Sequence, residues 1–183
     1  SFAQIRDASA LAWVDISTGD FSVSTLPLVL LGPELARLAP SEVLLSEKSF
    51  QDLETLIEES GAAPTPISAS SFDSTSAENR LLKTFKLATL DSHGGFSRAE
   101  LSALGAIVDY LDITQKGSLP LLQPPKRHIS AKTMQIDAAT RRNLELTHAL
   151  SGTRNGSLLA TIDQTLTAAG GRLLEHRIGS PSL

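Results

Sequence analysis

The chain has 183 residues, 41% apolar and 20% charged, with a mean hydropathy of +0.02, the profile of an ordinary globular chain and not of a disordered one. Its net charge of -4 and pI near 5.5 argue against a self-sufficient nucleic-acid module, which carries a basic stripe and a pI above about 9. The lack of cysteine excludes disulfide frameworks, thiolate metal sites and Cys nucleophiles together. No apolar run reaches the ~18 residues of a membrane span, and the start has no leader pattern, so a cytoplasmic setting is expected. The first residue is not Met and the last are HRIGSPSL, so both ends read as cuts through a longer chain.

In chain order, residues 3–24 show period-2 patterning around the turn STGD, which predicts three short antiparallel strands. Pro33 stands at a favoured first helical position and opens PELARL, and EVLL at 42–45 is a buried-strand pattern. Ser46 or Ser49 caps a helix through Glu58 that Gly61 ends, and the short strand TPIS follows. A serine-rich loop leads to a helix in AENRLLKTFKLA, which DSHGG breaks. Ser97 with Glu100 three residues on is a capping box for RAELSALGAIVDYLDITQ, whose Leu101, Leu104, Ile107, Val108 and Leu111 form one apolar side. GSLPLLQPPKR, 117–127, cannot continue a helix and reads as a connection. Beyond a short extended piece, 128–136, three helices are predicted: one from Asp137 through AATRRNLELTHAL, one in SLLATIDQTL, and one capped by Thr167 in which Leu173, Leu174 and Ile178 share a face. The fold class is therefore α/β, a mixed sheet with flanking helices over 1–117, followed over 118–183 by an all-α segment too short to close a core of its own.

Catalytic patterns are sparse. His93, His128, His148 and His176 have no HxxxH or HExxH spacing, no GxSxG surrounds any serine, and no GxxxxGK[ST] cradles a phosphate. Asp15 lies on the first hairpin of what would resemble a ribonuclease H-like sheet, where active members of that fold bind Mg²⁺ through a carboxylate with others. A metal-dependent nuclease or phosphotransferase is thus the alternative reading, but such chemistry needs several converging carboxylates. Lys126, Arg127 and His128 beside Lys132 read as a solvated basic run at a linker, and of the consecutive Arg141 and Arg142 one is expected to pair while the other is solvated.

The stretch MQIDAATRRNLEL, followed by GSLLATIDQTLTAAGGRLL, resembles the entry to the core domain of the MutS family of mismatch-repair proteins. Asp137, Thr140, Arg141, Asn143, Leu144 and Glu145 carry the first part of that likeness, and Ser157, Leu158, Asp163, Thr165, Thr167, Gly171, Arg172 and Leu174 the second. WVDISTGDF and DYLDITQKGSLPLL look like the family's connector domain in the same order. The resemblance implies a ribonuclease H-like connector over 1–117 joined to the first part of a helical core, or lever, domain over 118–183. It implies that ATP and Mg²⁺ belong to an ATPase domain outside these residues, so no cofactor, metal or catalytic residue is expected within them. It further implies an allosteric, signal-passing role between a mismatch-binding domain and the ATPase, a homodimeric parent that meets mismatched DNA through its other domains, and a docking surface for MutL at Asn79 and Arg80. Asp137 is expected to cap, Leu144, Leu158 and Ile162 to pack, and Asp163 to pair with Arg172.

Overall fold

A computed structural model of the chain describes residues 1–90, 94–116, 120–128, 134 and 136–181. The expected β-β-β-α-β-α-β-α-α order is observed, and the fold is α/β. Strands β1 (Phe2–Ile5), β2 (Ala8–Val14) and β3 (Phe21–Thr25) form the antiparallel meander, with Phe2 opposite Leu11 and Val14 opposite Phe21. Helix α1 (Leu31–Leu38) follows a 3-10 turn at Leu28–Leu30, so Pro33 is its third residue and not its first. Then come β4 (Glu42–Ser46), α2 (Glu47–Glu59) capped by Ser46, β5 (Ala63–Ile67), α3 (Ser74–Phe85) and α4 (Arg98–Thr114).

Hydrogen bonding divides the expected single mixed sheet in two. β4 and β5 pair in parallel, apart from the meander, although β1 lies against β4. Pro64 and Pro66 in β5 have no N–H to give, which suits an edge strand. The meander has its own late addition: β6 (Lys126–Arg127) pairs in parallel with β3, Ser22 facing Lys126 and Val23 facing Arg127. The last residues of the supposed linker therefore belong to a sheet. Contacts group residues 1–31 with 39–128 as one unit and 32–38 with 129–183 as the other, so the first unit runs past position 117 because β6 ties it to β3.

Helix α4 is the core of the first unit. Its sequence predicts one apolar side, yet every residue from Ala99 to Val108 is buried, because the strands of the meander cover one side and α3 the other. Small residues make this enclosure feasible. A Cβ on Gly105 would lie 2.2 Å from the Cβ and 2.8 Å from the Cα of Ala77 on α3, so the two helix backbones meet where neither residue has a side chain beyond a methyl. Phe21, Val23, Leu44, Leu81, Leu104, Ile107 and Leu111 fill the space around this contact.

In the second unit the first two helices are shorter than their sequence patterns suggest. Helix α5 (Ala138–Asn143) stops at the C-cap Leu144, and Glu145 turns into the left-handed region at φ 48°, its carboxylate accepting the Leu150 N–H at 2.6 Å. Helix α6 (Leu158–Ile162), capped by Ser157, ends where Asp163 Oδ1 accepts the N–H of Thr165 at 3.0 Å. In both places a side chain competes for backbone donors that a longer helix would need. Helix α7 (Ala168–Gly179) is capped by Thr167 as expected. Leu144, Leu158, Ile162 and Leu173 were expected to pack but are exposed, and Leu159 is the residue that α6 buries. The expected strand-like piece 128–136 falls mostly outside the described residues.

The Gly105 contact sets two effects against each other. Replacing a mid-helix glycine with alanine ordinarily stabilises by about 1 kcal/mol, whereas overpacking a filled interior costs about 1–3 kcal/mol. At 2.2 Å from Ala77 the steric term governs, so Gly105→Ala is expected to lower the urea midpoint and the melting temperature. A midpoint that rose instead would mean that α3 and α4 separate at little cost.

Candidate functional site

The most concentrated chemistry lies where the chain leaves the first unit. Glu100 opens α4 as the third residue of its capping box: Ser97 Oγ accepts the Glu100 N–H at 3.3 Å, and Glu100 Oε2 accepts the Ser97 N–H at 2.7 Å. Its side chain is only 2% exposed. A buried carboxylate without a cation is costly, and Arg127 of β6 supplies one by a two-point fork. Arg127 Nε donates to Oε1 at 2.8 Å and an Nη to Oε2 at 2.9 Å, while Thr25 Oγ1 gives Oε1 a further donor at 3.2 Å. The same guanidinium donates to the carbonyls of Gly94 and Gly95 at 3.0 and 3.1 Å and lies 5.5 Å from the centre of the Phe96 ring. Burial pushes the Glu100 carboxyl toward a higher pKa, but the Arg127 and Ser97 hydrogen bonds outweigh it and hold the group below the usual range. The basic run is not a solvated face throughout: Arg127 is a structural ion-pair partner, and the His128 ring packs edge-on against Trp13 at 5.5 Å. Lys126 is exposed and bonds Gln123, whereas Lys132 lies outside the described residues, as does His93.

A second polar network joins α3 to α4. Arg80 pairs with Asp109 at 3.1 Å and donates to the Gly105 carbonyl at 2.8 Å, and the buried Ser71 hydroxyl donates to Asp109 at 2.5 Å. Arg80 therefore turns inward across the Gly105 contact and is not a freely presented docking group, while its neighbour Asn79 is exposed.

Asp15 lies just beyond β2 in an exposed turn, its Oδ1 accepting from Ser17 N–H at 2.8 Å and from Ser17 Oγ at 2.6 Å. Among the described residues no three His, Asp or Glu side chains are grouped as a metal site requires.

The second unit distributes its motif residues over two places. Asp137 caps α5 through Thr140, whose N–H hydrogen bond, with that of its hydroxyl, lowers the Asp137 pKa. Arg141 reaches the Gly179 carbonyl at the end of α7, where Arg37 also donates to Ser180 Oγ and pairs with the buried Glu34. Arg142 is solvated, and Asn143 is exposed at the last turn of α5. Burial, then the charge of Arg37, lowers the pKa of both Arg141 and His176. Asp163, Thr167, Gly171 and Arg172 line one open depression of about 450 Å³ with Arg154. Within it Asp163 pairs with Arg154 at 2.7 Å and not with Arg172, because its other oxygen is engaged by Thr165 in the turn that ends α6.

Two family models match the chain in succession, MutS domain II over residues 2–123 and MutS domain III over 139–183. The chain belongs to the MutS family. It is 63% identical over its whole length to the DNA mismatch repair protein MutS of Roseobacter denitrificans, 60% to that of Cereibacter sphaeroides and 57% to that of Ruegeria pomeroyi. It covers 100% of itself in each case but 20–21% of the relative, so it spans about a fifth of the length of the curated MutS relatives it matches. The domain II match ends at 123, inside the segment that leads to β6, and the Arg127–Glu100 pair closes that segment onto the domain II part.

Because the folded Glu100 pKa lies below its unfolded value, the pair stabilises fully above about pH 4.3 and the contribution is lost as pH falls through the lower folded value. Urea titrations between pH 3 and 7 are expected to show a smaller acid loss for Glu100→Gln than for the wild type. At pH 7, Arg127→Met is expected to cost about 2 kcal/mol, less than the ~3–5 of a fully buried pair because the arginine is partly exposed. Parallel pH profiles for wild type and Glu100→Gln would remove Glu100 from the acid response.

Proposed function

We propose that this chain is the signal-passing part of a MutS-type mismatch-repair ATPase, standing between a mismatch-binding domain and an ATPase domain and offering a docking surface to MutL. The observation that carries this reading is the collinear match to domain II and then domain III over the full chain. The physical features suit such a role. The first unit is built around buried α4, and its exit segment is held to that helix by an ion pair, which gives the exit a defined attachment. The net charge of -4 disfavours direct DNA binding, so contact with mismatched DNA belongs to the other domains of the intact protein, which would act as a homodimer in the cytoplasm. ATP and Mg²⁺ likewise belong to those other domains. Among the described residues no helix is long and apolar enough to cross a membrane.

The exposed face of α3 supports the docking reading through Asn79, whereas Arg80 supports it only by holding α3 in place. In a titration of the full-length protein with MutL, Asn79→Ala is expected to weaken binding roughly threefold or more with an unchanged melting temperature. Arg80→Ala is expected to lower the melting temperature, since it leaves Asp109 without its cation. Full affinity in the Asn79 variant would remove this face from the docking surface. The purified chain is also expected to show no preference for mismatched over matched duplex; a clear preference, or Mg²⁺-dependent cleavage abolished by Asp15→Asn, would overturn the non-catalytic reading.

A further inference from the structure

Residues 120–128 are attached to the first unit in an unusual way. Pro120, Pro124 and Pro125 remove three N–H donors from nine residues, so the segment cannot join the sheet over its length. Its backbone is held at a few points. The Leu121 carbonyl approaches Gly19 so closely that a Cβ there would be 2.2 Å from it, and Gly19, at φ 76°, leaves that space open. Gln123 N–H donates to the Gly19 carbonyl at 2.8 Å, β6 adds two residues of parallel pairing, and His128 N–H donates to the Val23 carbonyl at 2.8 Å. Against this thin ladder stands the fork from Arg127 to Glu100, with two further carbonyl contacts at Gly94 and Gly95.

We propose that residues 120–128 form a strap that opens and closes together with the N-terminal cap of α4, and that Arg127 is the positioning residue that holds both shut. The coupling follows from the carboxylate they share. Glu100 Oε2 accepts from Arg127 and from the Ser97 N–H of the capping box, and Oε1 accepts from Arg127 and from Thr25. When the strap leaves, Glu100 loses both Arg127 donors, its neutralising charge and the cover of the guanidinium, its 2% exposure being that of the closed state. Water that enters there competes with the Ser97 N–H and the Thr25 hydroxyl for the carboxylate oxygens. Opening the strap therefore loosens the cap, and a firm cap favours a closed strap. Closed, the chain is fixed to the sheet up to His128; open, nine residues at about 3.3 Å each add up to ~30 Å of reach before the next segment. That this changes communication between domains rests on the signal-passing reading above.

Hydrogen exchange on the full-length protein tests the device, with amides of β1 and β2 as the internal reference. In Arg127→Met, exchange at 97–101 and at 127–128 is expected to accelerate together, tenfold or more over the reference. Arg127→Lys, which keeps the charge without the fork, is expected to lie between and covers the case in which the first variant folds poorly. Lys126→Met, on the same strand but bonded to Gln123, is expected to leave both segments unchanged. Acceleration confined to 127–128, or none at either segment, overturns the coupled strap. Stimulation of ATP turnover by mismatched duplex, measured in the same variants, separates the two proposals. A several-fold loss in Arg127→Met with unstimulated turnover intact supports both, whereas coupled exchange with full stimulation leaves the strap standing and overturns the signal-passing reading of it.

Discussion

A carboxylate buried at the first turn of the most enclosed helix constrains everything around it. Glu100 has to be where it is to satisfy the cap of α4, and the enclosure of α4 leaves that cap almost without water. The charge then requires a cation, and the nearest one in space is 27 positions away along the chain. The sheet, the 94–96 turn and the last residues of the first unit are all arranged so that Arg127 can reach it. Such a pair adds little net stability compared with an apolar filling of the same volume, but it specifies one arrangement because each half is costly without the other.

The opposite side of α4 is governed by size and not by charge. Gly105 and Ala77 let two helices approach more closely than ordinary side chains permit, and the same approach brings Arg80 within reach of the Gly105 carbonyl and of Asp109. A steric opening and a polar tie occur at one crossing point. Together the two sides of α4 bring α3, the meander and the exit segment against a single helix.

Much of this fold was legible because local rules and tertiary demands agree. The meander, the Ser46 and Ser97 caps, the Glu100 capping box and the caps at Asp137 and Thr167 all depend on residues a few positions apart. Divergence came where distant residues decide. The sequence of α4 shows an apolar stripe, but only the partners on its other side make Ala99, Ser102 and Ala103 interior. Arg127 sits among prolines and reads as linker; the one local clue is Glu100, an acid that opens the apolar and small run LSALGAIV, which calls for a cation without saying which. A pairing of Asp163 with Arg172 across the turn that Thr167 caps is the natural expectation, but Arg154 is equally distant in sequence, and the early end of α6 turns Asp163 to it. The family resemblance was legible over nearly the whole chain and located the motif residues, while their contacts had to come from the fold.

The parallel pairing of β6 with β3 has a mechanical consequence. Tension applied along the axis of β6 loads its ladder bonds and the Arg127 fork side by side, so they resist as a group. Tension applied perpendicular to the sheet reaches them one after another, and each yields in turn. The attachment is thus stiff to shear and compliant to peeling, and the direction of a load, as much as its size, decides whether the chain beyond His128 stays anchored.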